Sequence, residues 1–109
     1  MFEIKEKQRV LPDGTELTTF ERDIYSCNIL SVEAGTTGYK GGDSGHGGRT
    51  YFRIKDEGST DMKVRVTEDR FGTESLEVFL GGDTELDTII AALKFIVIAL
   101  EDQRLGIHD

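Results

Sequence analysis

The sequence predicts a single α+β domain, with an antiparallel sheet of about six strands followed by one C-terminal helix. Up to residue 80 the chain consists of short segments rich in β-branched and aromatic residues, separated by turns that contain Gly, Pro or Asp. After residue 83 the pattern changes to one long apolar segment with helical spacing. The chain has 109 residues, and no repeat or low-complexity linker divides it, so one domain accounts for its length.

Local patterns delimit the strands. Alternating side chains predict a half-buried first strand that ends at the turn 11–14, where a proline and a glycine follow one another closely. The third strand carries Cys27 in its interior. The fourth and fifth strands flank residues 57–60 and are predicted to pair with each other as a hairpin. The predicted strands are residues 2–10, 15–20, 25–34, 50–55, 62–67 and 75–80.

The helix is predicted over about residues 84–103. Thr84 and Asp87 approximate a capping box at its start. Its polar positions recur every seven residues along one line, at Asp87, Lys94 and Glu101, and nearly everything else is apolar. A helix lying on a sheet needs only one apolar stripe, so we expect the second stripe to meet another subunit; the alternative is a sheet curled tightly around the helix. The set expected against the chain's own sheet is Ile89, Leu93, Ile96 and Leu100, and the set expected at the second subunit is Ile90, Phe95, Val97 and Ile98.

Composition excludes several classes of function. The net charge of −8 argues against general DNA or RNA binding, so any anion site has to be a local basic cluster. The single cysteine excludes an internal disulfide, and with only two histidines a metal site is poorly supplied; no cofactor is expected. The longest apolar tract, residues 89–100, is too short to cross a bilayer, and the first residues lack a signal core. We therefore expect a cytoplasmic protein that does not engage membranes.

Residues 35–49 are the most unusual segment, because seven of these fifteen residues are glycine. Glycine lets backbone N–H groups approach an anion closely. The segment matches neither a P-loop nor a dinucleotide fingerprint. It does supply donors, and an aspartate suited to a ribose hydroxyl, so we predict an anion-binding loop; the alternative is a flexible connection without a ligand. The predicted binding residues here are Thr36, Thr37, Lys40, Asp43, His46 and Arg49.

The predicted hairpin suggests a basic surface next to this loop. If the numbers of paired residues in the hairpin sum to about 118, Arg53 lies opposite Arg65. Tyr51 lies on the same face, and Phe79 of the neighbouring strand can share it. Like charges directly opposed destabilise a sheet, so this face is predicted to bind phosphate, with an aromatic ring stacking on a base. Because the opposed arginines would repel each other in the free protein, replacing Arg53 by alanine should leave folding intact or improve it slightly. The alternative is a solvated face whose cations are balanced by carboxylates such as Glu33 and Glu77.

Catalysis is not the expected activity. Cys27 and His46 could form a nucleophile and base only if the fold oriented the histidine, and nothing in the sequence does so. Ser44 and His46 lie too close together in the glycine-rich segment to imply a triad. The aspartates lack metal-ligand spacing.

Residues 34–55, with their Gly-Gly-Asp-Ser-Gly-His-Gly-Gly-Arg run, and the later Gly-Gly-Asp-Thr-Glu-Leu-Asp of residues 81–87 resemble small proteins of phages and prophages in Gram-positive bacteria. Among these the chain is similar to the first-described Thoeris anti-defence family, over roughly residues 25–100. The resemblance implies a non-enzymatic protein that sequesters cyclic ADP-ribose isomers made by TIR-domain enzymes, in some members also cyclic oligonucleotides, and that assembles into dimers or hexamers. The competing hypotheses are an acidic inhibitor that blocks a host defence protein by direct binding, and a nucleotide hydrolase.

Overall fold

The computed structural model describes residues 3–38 and 47–105. It confirms the α+β class, with antiparallel strands followed by a C-terminal helix. The elements are β1 (Lys5–Val10), β2 (Glu16–Tyr25), β3 (Ile29–Thr36), β4 (Thr50–Gly58), β5 (Met62–Glu68), β6 (Glu74–Leu80) and α1 (Asp83–Leu105). Among the described residues, no helix is long and apolar enough to span a membrane.

The six strands form two sheets rather than one. Strands β1, β2, β3 and β4 pair in chain order as a four-stranded antiparallel sheet, and β5 pairs only with β6. The predicted hairpin between β4 and β5 is therefore wrong. Arg53 on β4 lies opposite Glu33, and Arg65 on β5 lies opposite Glu77.

A buried polar cluster explains why β5 turns away from β4. Thr60, in the connection between them, is buried, and its hydroxyl donates to the backbone oxygen of Ile29 at 3.2 Å. The Asn28 side-chain amide donates to the hydroxyls of Thr60 and Thr88, each at 3.0 Å. This cluster fixes the β4–β5 connection to the β2–β3 turn and to the helix, so the chain leaves β4 instead of folding back along it.

The helix packs on one face of the four-stranded sheet, across β3 and β2. Small side chains at Ala92 and Ala99 let it approach closely, and Phe95 fills the space between them and the sheet. The core consists of Ile24, Leu30, Val32, Ala34, Ala92, Phe95, Ile96 and Ala99. Two predictions for the helix are thus wrong: Phe95 is buried in the core, and Leu93 is 49% exposed.

Two further expectations differ from the structure. Strand β1 is an edge strand that the helix does not cover, so Val10 and the preceding Ile4 are exposed instead of half-buried. Cys27 is exposed and lies in the turn between β2 and β3, because β2 continues to Tyr25 and β3 begins only at Ile29.

Gly35 is required by the close approach of β3 and β2. A Cβ atom added there would lie 2.4 Å from the backbone oxygen of Thr18 and 2.9 Å from Cα of Thr19. Backbone atoms in the middle of a sheet cannot move aside cheaply, so overpacking at such a site is destabilising.

We predict that Gly35→Ala lowers the free energy of unfolding by about 1–3 kcal/mol, measured by urea denaturation. Gly58→Ala is the matched control, because a Cβ there meets only the Ile29 side chain, at 3.8 Å, and should change stability little. Equal stability of the two variants would contradict the close approach at Gly35.

Candidate functional site

The candidate site lies on the sheet face opposite the helix, here called the polar face. The strand register places alternate residues of β1, β2, β3 and β4 side by side on it. Its charged and polar members include Lys5, Lys7, Arg9, Thr19, Glu21, Asp23, Ser31, Glu33, Tyr51, Arg53 and Lys55. Basic side chains outnumber carboxylates in this set, in a chain whose net charge is −8.

Glu33 occupies the centre of the polar face and is 0% exposed. Arg9 binds it in a bidentate manner, with Nε and Nη2 donating to its two carboxylate oxygens at 2.7 Å each. The Thr19 hydroxyl donates to Oε2 at 2.5 Å, and Nη2 of Arg53 lies 3.6 Å from Oε1. A buried carboxylate is tolerated only when it is paired and hydrogen-bonded in this way.

These contacts decide the protonation of Glu33. Burial by itself raises the pKa of the carboxyl, but the hydrogen bonds from Arg9 and Thr19 and the charge of Arg53 outweigh it. The pKa of Glu33 therefore lies below its usual value, and the carboxylate is ionised at neutral pH. The same pairing raises the pKa of the Arg9 guanidinium.

A second carboxylate links the outer strands. Glu21 accepts contacts from Lys7 Nζ and from Arg53 Nη2, at 3.0 Å each. With Arg9 and Glu33 included, three cations meet two carboxylates, which leaves one surplus positive charge at the centre of the polar face. Nε of Arg53 is buried and has no hydrogen-bond partner among the described residues.

Tyr51 adds an aromatic surface beside these cations. The guanidinium carbon of Arg9 lies 4.8 Å from the centroid of the Tyr51 ring, within the range of a cation–π contact. Tyr51 lies opposite Gly35 in the register, so the ring is at the end of the polar face from which the glycine-rich segment leaves.

The two ends of the glycine-rich segment are joined by hydrogen bonds, and this region is called the neck. The backbone N–H of Thr37 donates to the Arg49 oxygen, and the Arg49 N–H donates to the Thr37 hydroxyl, at 2.9 Å each. The Thr36 hydroxyl donates to the Arg49 oxygen and accepts from the Gly38 N–H, at 3.0 Å each. The hydroxyls of Thr36 and Thr37, predicted as ligand donors, thus hold the neck together.

Arg49 also ties the neck to the β1–β2 turn. Its Nε lies 2.6 Å from Oδ2 of Asp13. The hydrogen bond from Arg49, with a second one from the Thr15 backbone, lowers the pKa of Asp13 to about 2. The predicted residues Lys40, Asp43 and His46 lie outside the described residues.

Arg65 and Phe79 are not brought to the polar face by any strand pairing. Arg65 forms an ion pair with Glu77, its neighbour on β6, and Phe79 lies opposite Lys63 with 68% of its surface exposed. The expected opposition of Arg53 and Arg65 is wrong, and the register instead agrees with the alternative in which Glu33 and Glu77 balance these arginines. The expectation that Arg53→Ala relieves a repulsion no longer applies, because this change removes contacts to Glu21 and Glu33.

Arg9, Lys7, Thr19 and Glu21 were not selected from the sequence. A signal for two of them was present, since Lys5, Lys7 and Arg9 alternate along β1 and so share a face. The alternation does not reveal the partner strand, and only the pairing with β2 places these side chains beside Glu33. Within the described ranges, no group of three or more His, Cys, Asp or Glu side chains is arranged to hold a metal ion.

We predict that Glu33→Gln lowers the free energy of unfolding by about 2 kcal/mol at pH 7, since charge-assisted hydrogen bonds are lost. The folded-state pKa is lowered, so the carboxylate's contribution is present above the unfolded-state pKa and disappears as pH falls through the folded-state value. Urea denaturation at pH 7 and at progressively lower pH should show the difference between wild type and variant closing. Glu6→Gln, at an exposed position on β1, is the control; a difference that persists at low pH would count against the ionised carboxylate.

We also predict that Arg49→Gln raises the pKa of Asp13 from about 2 towards its ordinary value. The remaining hydrogen bond from Thr15 keeps the shift partial. NMR titration of the Asp13 carboxyl measures it directly, with Arg65→Gln as a control on the other sheet. An unchanged Asp13 pKa in Arg49→Gln would show that the neck is not tied to the β1–β2 turn in solution.

Comparisons of the chain with models of protein families, with curated proteins and with solved structures give no match. The site is therefore interpreted from its own geometry.

Proposed function

We propose that the chain binds a small phosphorylated nucleotide at the end of the polar face beside the neck, and holds it without cleaving it. The observation that carries this proposal is the group formed by Arg9, Tyr51 and Arg53. Two guanidinium groups, held by a buried carboxylate, lie with an aromatic ring next to the start of the glycine-rich segment. Guanidinium and ring together suit a phosphate and a base.

The arginines retain donors for such a ligand. A guanidinium has five N–H groups, and among the described residues Arg9 places its Nε and one Nη2 hydrogen on Glu33. The side chains of Arg9 and Arg53 are 32% and 35% exposed, whereas that of Glu33 is 0% exposed. Glu33 therefore holds the two guanidinium groups from the side of the sheet, while the part of each arginine that faces away from the sheet remains accessible to solvent.

Electrostatics favours a small anion over a polymer. The cluster of Lys7, Arg9 and Arg53 with Glu21 and Glu33 carries one surplus positive charge, and the chain as a whole carries −8. A nucleic acid would extend beyond this region and meet the negative surroundings. A compact ligand with one or two phosphates fits within it. The proposal therefore includes no general nucleic-acid binding.

The glycine-rich segment is proposed to complete the site. It leaves the fold at the neck, next to Tyr51, and carries Lys40, Asp43 and His46. A lysine ammonium, an imidazole N–H donor and a carboxylate for a ribose hydroxyl are groups that suit a nucleotide. Thr36, Thr37 and Arg49 are assigned to holding this segment at the site.

The resemblance to the Thoeris anti-defence family supplies the proposed ligand and role. We propose a phage-encoded protein that sequesters a cyclic ADP-ribose isomer in the cytoplasm of the host, as a homo-oligomer, with cyclic oligonucleotides as further candidate ligands. The guanidinium groups of the arginine pair stay charged at neutral pH, so they suit the binding of an anion but do not act as general acid or base.

A second candidate function is direct inhibition of a host defence protein. The observation that favours it is the exposed apolar side of the β5–β6 hairpin, where Val66 is 69% and Leu76 is 59% exposed. Exposed apolar surface of this kind is typical of protein interfaces. This candidate requires no nucleotide.

We predict that the wild-type protein captures a cyclic ADP-ribose isomer and releases it intact on heating, measured by chromatography of the supernatant after free ligand is removed. Arg53→Ala should weaken binding about 10- to 100-fold, as expected for loss of charge-assisted hydrogen bonds. Arg70→Ala, in the β5–β6 connection, is the charge-matched control. Arg65→Ala tests whether the hairpin contributes to binding, as the sequence suggested.

The outcomes separate the three hypotheses. Recovery of intact nucleotide supports sequestration, and a chemically altered product supports a hydrolase. Absence of capture, or equal affinity of Arg53→Ala and wild type in calorimetry, contradicts the proposed site. Circular dichroism of each variant shows whether a loss of binding reflects a loss of folding.

A further inference from the structure

The outer side of the helix carries an exposed apolar line, here called the helix seam, formed by Leu86, Ile90, Leu93 and Val97. These side chains are 57%, 43%, 49% and 52% exposed. They follow one another at intervals of four, three and four residues, which is the heptad spacing of helices that pack against another helix. None of them belongs to the core beneath the helix.

The β5–β6 hairpin, here called the arm, has an equally exposed apolar side. Met62, at its base, packs partly against the core, and Leu80, opposite it on β6, is half-buried. Further out, Val64, Val66 and Val78 on the same side are 55%, 69% and 44% exposed. A two-stranded hairpin is marginally stable by itself in water, so we expect another apolar surface to pack against this side of the arm.

The helix seam and the arm border one groove. A cavity of about 460 Å³ is lined by Leu93 of the seam, by Val64, Leu76 and Val78 of the arm, and by Phe52 and Ile89. The helix seam and the arm therefore meet at Leu93, where both border the same groove.

We propose that the helix seam and the arm bind a second copy of the chain, with the two helices antiparallel along their seams and each arm against the partner's helix. This inference stands independently of the nucleotide proposal. It also replaces the contact set expected from the sequence, since Phe95 is buried and Ile98 points away from the seam by helical spacing.

Charge along the helix favours this occupant and this direction. Pairing two antiparallel seams about their midpoint sets Leu86 against Val97 of the second copy and Ile90 against Leu93. In that register Asp87 and Lys94 of opposite copies differ by two residues in axial position, about 3 Å at 1.5 Å per residue. Opposite charges thus meet twice by symmetry, whereas in a parallel pair the Asp87 and Lys94 side chains of the two copies lie on opposite sides of the seam and do not meet.

The exposed area is also sufficient for a dimer. The chain exposes 7593 Å², whereas a folded monomer of its 12.1 kDa mass exposes about 6,000 Å². Its radius of gyration is 15.6 Å, compared with about 13 Å for a domain of this length. A standard interface covers about 800 Å² on each partner, which is less than the excess.

The first experiment measures the mass of the full chain by light scattering at micromolar concentration. Wild type should have twice the 12.1 kDa mass of the chain, or a multiple of that dimer. Leu93→Glu should weaken self-association at least 100-fold, because it places charge at the middle of the seam. Ile98→Glu is the matched control, since Ile98 is 57% exposed on the same helix but lies off the seam.

The second experiment tests the direction of pairing. Lys94→Glu should weaken the dimer several-fold, because it faces Asp87 of the second copy with a like charge. The double variant Asp87→Lys with Lys94→Glu should recover wild-type association. Both positions are exposed, so folding should be retained, and circular dichroism checks this; if Leu93→Glu fails to fold, Val97→Lys takes its place.

A monomeric wild type, or a dimer equally weakened by Ile98→Glu and Leu93→Glu, would overturn the proposal. Failure of the double charge variant to recover association would overturn the antiparallel register. Because the readout is mass without nucleotide, these results are separate from the capture experiment.

Discussion

The buried Glu33 carboxylate is the constraint on which the four-stranded sheet depends. It lies on β3, and it is contacted by Arg9 from β1, Thr19 from β2 and Arg53 from β4. An ionised carboxylate with no exposure must find such partners. One residue therefore links all four strands through side chains, in addition to their backbone hydrogen bonds, and it fixes the positions of the two arginines on the polar face.

Strand β3 is buried on both sides, by apolar side chains on one side and by polar and charged side chains on the other. On one side Leu30, Val32 and Ala34 pack beneath the helix. On the other side Ser31 and Glu33 are covered by the polar and charged side chains of the neighbouring strands. This division explains how a chain of 109 residues maintains one apolar core and still presents preorganised cations. A preorganised pair of cations would bind an anion with little reorganisation, which is the property that the proposed sequestration requires.

The parts of the fold that depend on local pattern were predictable, and those that depend on distant partners were not. The six strands and the helix follow from alternation, turns and helical spacing. β4 pairs with β3 and not with β5 because Asn28 and Thr60 hold the β4–β5 connection in place. These two polar residues lie far apart in the sequence, in the β2–β3 turn and the β4–β5 connection, and are joined by a hydrogen bond. Arg9 was missed for the same reason, because its role exists only through Glu33. Leu93 is exposed and Phe95 is buried, the reverse of what the sequence predicts. Because the helix is apolar on nearly all sides, its sequence does not determine how the helix is rotated about its axis on the sheet.

The two proposed surfaces lie on opposite sides of the four-stranded sheet, and this arrangement makes them compatible. The helix covers the side that carries Val32, so a dimer formed along the helix seam leaves the side that carries Glu33 facing outwards in both copies. Each copy would then keep its own polar face and neck accessible to ligand. The proposed self-association would thus stabilise the arm and the helix and leave Glu33 and Arg9 outside the interface, while Arg53 also borders the groove beside the arm. A dimer of this kind would present two separate nucleotide sites instead of one shared site.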